Sequence, residues 1–88
     1  MSNKLSEYTV YLIECRDGTW YCGITTNIER RMKEHNIGVG CKYTRGRGPV
    51  ILRGLSEEMS HSEALKLEWR VKKESKNKKL DTLTEGRK

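Results

Sequence analysis

The sequence predicts an α+β domain in which helices flank a small three-stranded antiparallel sheet, in the order β-β-α-β-α. Three observations lead there. Two β-branched and aromatic runs near the N-terminus are separated by a turn signal. Two Ser/Thr-x-x-Glu pairs each open a helical stretch. A third apolar run, Val50 to Leu55, stands between those helices behind a glycine-rich segment. The 88 residues suffice for one domain spanning 1–88, with a core over about 8–80 and flexible ends at 1–7 and 84–88.

Tyr8 to Cys15 favours a strand because its residues fit a pleated, half-buried surface. Arg16-Asp17-Gly18 is the turn, and Thr19 to Ile24 returns as the second strand. Two registers are open. A two-residue turn at Asp17-Gly18 pairs Tyr11 with Ile24 and sends Tyr11 and Tyr21 to opposite faces. A three-residue loop with left-handed Gly18 pairs Cys15 with Thr19, Ile13 with Tyr21 and Tyr11 with Gly23. The second register gathers Val10, Leu12, Trp20, Cys22 and Ile24 on one face, and it is preferred because pattern governs register. It also parts Cys15 from Cys22, which argues against a bond between them.

Thr26 with Glu29 reads as a capping box for a helix to about Ile37, with Gly38 just past its end. Residues 38–49 hold Gly38, Gly40, Gly46, Gly48 and Pro49 and read as a loop. Val50 to Leu55 is the third strand. Ser60 with Glu63 caps a second helix to about Glu74, and a last helical turn or two follows through Leu83.

Composition narrows the function. The longest uncharged apolar run, Val10 to Ile13, is far short of the ~20 residues of a membrane-spanning helix. Mean hydropathy is −0.84. No basic-then-apolar leader opens the chain, and three cysteines without a C-x-x-C pair predict reduced thiols and no structural zinc. A cytoplasmic setting without membrane attachment is the expectation. Eighteen Lys and Arg against 12 Asp and Glu leave a net charge of +6. Residues 38–54 carry four cations and no carboxylate, and residues 71–88 carry seven against three. Clustered positive charge suits a polyanionic partner, although a solubilising surface would look similar.

Several residues could carry chemistry. Arg31 and His35 are four apart and share a helix face, which alone reads as a solvated face among Arg30, Lys33 and Glu34. Glu68 falls within the apolar arc of the second helix, between Ala64, Leu67 and Val71 on one flank and Leu65 and Trp69 on the other. A carboxylate there must be paired, metal-bound or shifted in pKa. An ion pair with Lys72, one turn on, and a functional role stand level on the wheel. Lys42, Tyr43, Arg45 and Arg47 place three cations and an aromatic ring on the loop, suited to phosphates and a stacked base. Gly23 beside Tyr11, and Lys72 on the second helix, complete the expected nucleic-acid surface.

Together these residues resemble the GIY-YIG nuclease superfamily. Val10-Tyr11-Leu12 is followed ten residues on by Tyr21-Cys22-Gly23, then by Arg31 ten beyond Tyr21, then by His35 and a glutamate on the last long helix. The likeness extends over about residues 8–80 and is nearest to small stand-alone bacterial members and to the structure-specific branch. The resemblance implies Mg²⁺-dependent hydrolysis of DNA phosphodiesters, with Mn²⁺ as a substitute ion. It assigns Tyr11 and Tyr21 to the two motif tyrosines, Arg31 to transition-state stabilisation, His35 to phosphate positioning or proton transfer, and Glu68 to the metal. Thr9 and Cys22 depart from the motif letters, and the late family asparagine has no secure match. It implies DNA, bent, nicked or branched, as substrate in repair or recombination, and a protein partner supplying further DNA contacts. A non-catalytic nucleic-acid-binding module and an adaptor of a larger assembly are the alternatives.

One expectation follows from charge alone. DNA affinity, measured by anisotropy across a salt series, should fall steeply with salt. Replacing Lys42, Arg45 and Arg47 by Ala should flatten the log–log slope by about two to three.

Overall fold

The structure, a computed structural model, describes residues 7–38 and 48–84. It contains β1 (Thr9–Glu14), β2 (Trp20–Thr25), α1 (Ile28–Asn36), β3 (Ile51–Leu55), α2 (His61–Lys73) and α3 (Lys76–Leu83). The strands form one antiparallel sheet in the order β2-β1-β3.

The β1–β2 hairpin turns on Gly18, whose φ of +89° is costly for residues with a Cβ. The Cys15 amide donates to the Thr19 carbonyl at 2.8 Å, and the Gly18 amide donates to the Cys15 carbonyl at 2.9 Å. This is the three-residue loop, and it sets Tyr11 opposite Gly23 and Ile13 opposite Tyr21. The alternation then builds two cores. Val10, Leu12 and Cys22 pack with Ala64, Val71 and Leu83 on one face, and Tyr11, Ile13, Cys15 and Val50 pack on the other. Cys15 and Cys22 are both buried and unbonded, one in each core.

Helix α1 begins one residue later than expected. Asn27, not Thr26, is the N-cap, and its side chain accepts from the Arg30 amide at 3.0 Å. Asn is at least as good a cap as Thr, and Thr25 Oγ1 supports it by accepting from the Asn27 amide at 3.1 Å. Glu29 therefore misses the third helical position, and no capping box forms there. The far end is anchored by Asn36, whose Oδ1 accepts from the Val50 amide at 2.7 Å and ties α1 to the approach to β3.

β3 pairs with β1 through a one-residue shift between Leu12 and Ile13, so Arg53 bulges and pairs with Glu14 at 2.7 Å. The expected box at the start of α2 is present: the Glu63 amide donates to Ser60 Oγ and the Ser60 amide to the Glu63 carboxylate. Beyond it the order is β-β-α-β-α-α, because the last expected turns form the separate helix α3, C-capped at Thr84. Lys79 on α3 donates to the carbonyls of Val71 and Lys72, satisfying the end of α2. The buried stripe of α2 is also narrower than expected. Ala64 and Val71 are fully buried, while Leu65 and Trp69 are 45% and 63% exposed. Among the described residues, no element covers the outer side of α2, so one flank is core and the other is surface. No described helix is long and apolar enough to cross a membrane.

Gly54 is where α3 meets the sheet. A Cβ there would lie 2.5 Å from Leu80 Cδ1 and 2.7 Å from Leu83 Cδ2. Gly54→Ala should therefore lower stability by about 1–3 kcal/mol, measured by urea unfolding. Unchanged stability would show that α3 docks less closely.

Candidate active site

Register places Tyr11 on the α1 side of the sheet, and Gly23 makes room for it. A Cβ on Gly23 would lie 2.6 Å from the Tyr11 hydroxyl, so only glycine allows the phenol to cross β2 at this height. Tyr11 is 1% exposed. A phenolic oxygen this enclosed needs polar partners, and two come from α1, one turn apart. Arg31 Nε donates to the Tyr11 oxygen at 3.3 Å, and the same oxygen lies 2.9 Å from His35 Nε2.

The helix spacing therefore has a second consequence. The face carrying Arg31 and His35 is turned onto the sheet, and His35 is 1% exposed. The solvated-face reading holds for Arg30 and Lys33 but fails for His35. Burial, followed by the neighbouring Arg31 charge, lowers its pKa below the usual 6.5, with Glu34 opposing. His35 is thus a neutral imidazole at pH 7, able either to accept the Tyr11 proton at Nε2 or to donate there in the other tautomer.

Arg31 is fixed from two sides. Its Nη1 meets Glu34 Oε1 at 2.9 Å. The hydrogen bond to Tyr11 is the largest influence raising its pKa, with Glu34 adding to it. Glu34 was not singled out by the sequence, although its i,i+3 spacing from Arg31 was available as a signal. Tyr21 completes the group, its ring centroid 6.4 Å from Tyr11 and 5.7 Å from His35.

Glu68 stands apart. It lies on α2, which packs on the opposite face of the sheet, and its carboxylate pairs with Lys72 Nζ at 3.2 Å. It does not sit centrally in a buried arc, because the Leu65–Trp69 flank faces solvent. The ion pair weighed against a functional role is therefore present. Lys72 links it to the cluster, since the same ammonium lies 5.9 Å from the Tyr21 ring centroid. Cys22, between the motif residues Tyr21 and Gly23, faces α2 and is not an available nucleophile. Burial first, then Glu68, pushes its thiol up to about 12, against the opposing charges of Lys72 and Lys79. Lys42, Tyr43, Arg45 and Arg47 lie outside the described residues.

Among the described residues no three His, Cys, Asp or Glu side chains are grouped as a metal cage. One carboxylate without thiolate or imidazole suits Mg²⁺, which binds through one or two carboxylates and otherwise keeps water and substrate phosphate oxygens. Glu68 fits that mode.

Comparison with known proteins gives the family and the fold. The GIY-YIG catalytic domain family matches residues 7–81. A UPF0213 protein of Halobacterium salinarum is 54% identical over 70 residues, covering 80% of this chain and 91% of that protein. A UPF0213 protein of Staphylococcus haemolyticus is 40% identical over 81 residues, covering 92% and 99%. Two solution NMR structures share the fold. An E. faecalis protein has a TM-score of 0.60 at 44% identity, covering 94% of this chain and 88% of its own. A UPF0213 protein from Bacillus halodurans has a TM-score of 0.51 at 49% identity, covering 82% and 77%.

Buried, neutral His35 makes stability pH-dependent. Its folded pKa lies below the unfolded value of 6.5. Its contribution is therefore complete above about 6.5 and is lost as pH falls through the folded pKa, with a slope of at most about 1.4 kcal/mol per pH unit. Urea unfolding at a series of pH values should show this slope in the wild type. His35→Gln should remove it.

Proposed function

The chain belongs to the GIY-YIG catalytic domain family, a nuclease fold, and from that premise we propose that it is a divalent-metal-dependent DNA endonuclease acting on structured DNA in repair or recombination. The observation that carries this reading is the Tyr11 oxygen held between a cationic Arg31 and a neutral His35. A phenol of ordinary pKa ~10 is a poor base at pH 7. Here Arg31 stabilises developing negative charge on the oxygen, and His35 Nε2 can take the phenolic proton.

In the proposed reaction a water oxygen attacks phosphorus. Its proton passes to the Tyr11 oxygen as the Tyr11 proton moves to His35, the bond from phosphorus to the leaving sugar oxygen breaks, and that oxygen takes a proton from solvent water as His35 returns its own to solvent. Tyr11 is enclosed, so the water approaches past the half-buried Tyr21 and Arg31. Arg31 Nη2 meets no acceptor among the described residues, and it is suited to a phosphate oxygen. Tyr21 orients the phosphate from the same side.

Glu68 would hold the metal, and Lys72 would keep its carboxylate charge-compensated beforehand. When bound, a divalent ion supplies charge neutralisation at the phosphate and stabilises the leaving oxygen. Lys72, beside both Glu68 and Tyr21, is also placed to follow the DNA backbone.

The test is a panel of duplex, nicked, flap and four-way DNA with Mg²⁺, Mn²⁺ or EDTA. The wild type should cleave at least one substrate only with metal. Tyr11→Phe and Glu68→Ala should each lose at least about 100-fold in rate. Lys72 is half exposed, so loss of its ion pair should cost Glu68→Ala at most about 1 kcal/mol of stability. DNA binding without cleavage by the wild type in any metal would favour the non-catalytic module. Cleavage by Glu68→Ala at the wild-type rate would end the metal assignment.

A further inference from the structure

We propose that the outer face of α2 docks an acidic amphipathic helix of a partner protein. Leu65 and Trp69 are one turn apart and both exposed, at 45% and 63%. Lys66 and Arg70 line the same shallow groove, and Lys73 continues it. The apolar pair, four residues and about 6 Å apart along the axis, lies on an i±4 row of the kind that packs into the groove of a second helix. Its border on the Lys66–Arg70–Lys73 side is cationic, while on the other side Glu68 is paired with Lys72 at 3.2 Å.

Three observations select the occupant. A second copy would bring the same three cations against themselves, and each chain already carries +6, so self-association is opposed by charge. A stacked nucleobase would compete with Lys73, whose Nζ lies 4.1 Å from the Trp69 ring centroid and covers one of its faces. The face also points away from the tyrosine cluster. Ala64 and Val71 hold α2 against the Val10–Leu12–Cys22 side of the sheet, and Trp69 projects about 140° around the helix from Ala64. The Tyr11–Arg31–His35 group lies behind the sheet. Leucines on a partner helix would pack along Leu65 and the indole edge, with its carboxylates meeting Lys66, Arg70 and Lys73.

The test uses the full chain and a synthetic amphipathic peptide of about 18 residues with leucines at i, i+4 spacing and glutamates elsewhere. Its controls are a scrambled peptide of the same composition, a thymidine oligonucleotide and a DNA duplex. Binding is read from the Trp69 indole N–H and the backbone amides of residues 65–73 by NMR, with the Trp20 indole as internal reference. The amphipathic peptide should shift these signals and bind at least tenfold more tightly than the scrambled one. Trp69→Ala, and separately Lys66→Glu with Arg70→Glu, should weaken it at least tenfold while the amide signals outside α2 keep their wild-type positions. Equal binding of both peptides, or unchanged affinity in both variants, would overturn the proposal. So would a Trp69 shift driven by the oligonucleotide or the duplex, or a wild-type dimer lost in Trp69→Ala. These readouts do not depend on nuclease activity, so failure here and failure of the nuclease reading are distinguishable.

Discussion

The Tyr11 hydroxyl occupies space that a side chain on Gly23 would fill, and most of the architecture is arranged around that contact. It exists only in the register set by the three-residue loop ending at Gly18. A one-residue slip would send Tyr11 and Tyr21 to opposite faces and part Val10 and Leu12 from Cys22 and Ile24. The phenol is then enclosed and requires polar partners, which fixes the side of α1 that must face the sheet. Arg31 and His35 satisfy it from successive turns, while Asn36 ties the helix end to the residue preceding β3. Hairpin, helix orientation and candidate chemistry thus share one steric origin.

The charge pattern around that oxygen follows from the same packing. Arg31 remains protonated because Tyr11 and Glu34 both accept from it. Its charge, added to burial, keeps His35 neutral. A permanent cation and an uncharged imidazole thus flank one hydroxyl. That combination favours negative charge on the oxygen while leaving a site for its proton. A second cation at His35 would oppose proton transfer, and a carboxylate in its place would oppose an approaching phosphate.

What could be read from the sequence was what depends on period and sterics. The alternation of Val10, Leu12, Cys22 and Ile24 against Tyr11, Ile13 and Tyr21 chose the register, and the structure has it. The Ser60–Glu63 box marked the start of α2. Choices that tertiary packing decides were less legible. Asn27 displaced Thr26 as a cap because both are competent and the Thr25 hydroxyl supports the later one. His35 lies among charged neighbours, so composition suggested solvent, yet the sheet covers it. The helix wheel placed Glu68 between two apolar flanks but could not show that only the Ala64–Val71 flank meets the sheet. Glu34 reads as part of a solvated face because a surface pair and a positioning pair have the same spacing, yet it holds Arg31 at 2.9 Å.

Helix α2 faces two ways, and its geometry explains how. A helix on a three-stranded sheet has one buried flank, and every other direction remains available. Val71 and Ala64 anchor it. Glu68 projects at the margin of that flank, near the edge strand β2, where it influences the Cys22 thiol and pairs with Lys72. The edge position allows an element packed on one face to act on residues of the other: Lys72 reaches from Glu68 to the Tyr21 ring without crossing the core. Had α2 packed centrally over β1, Glu68 would be buried against aliphatic side chains, and no charge-compensated route to Tyr21 would exist. Because α2 contacts β2 more extensively than β1, its margin can communicate with the tyrosine cluster while its outer surface remains open.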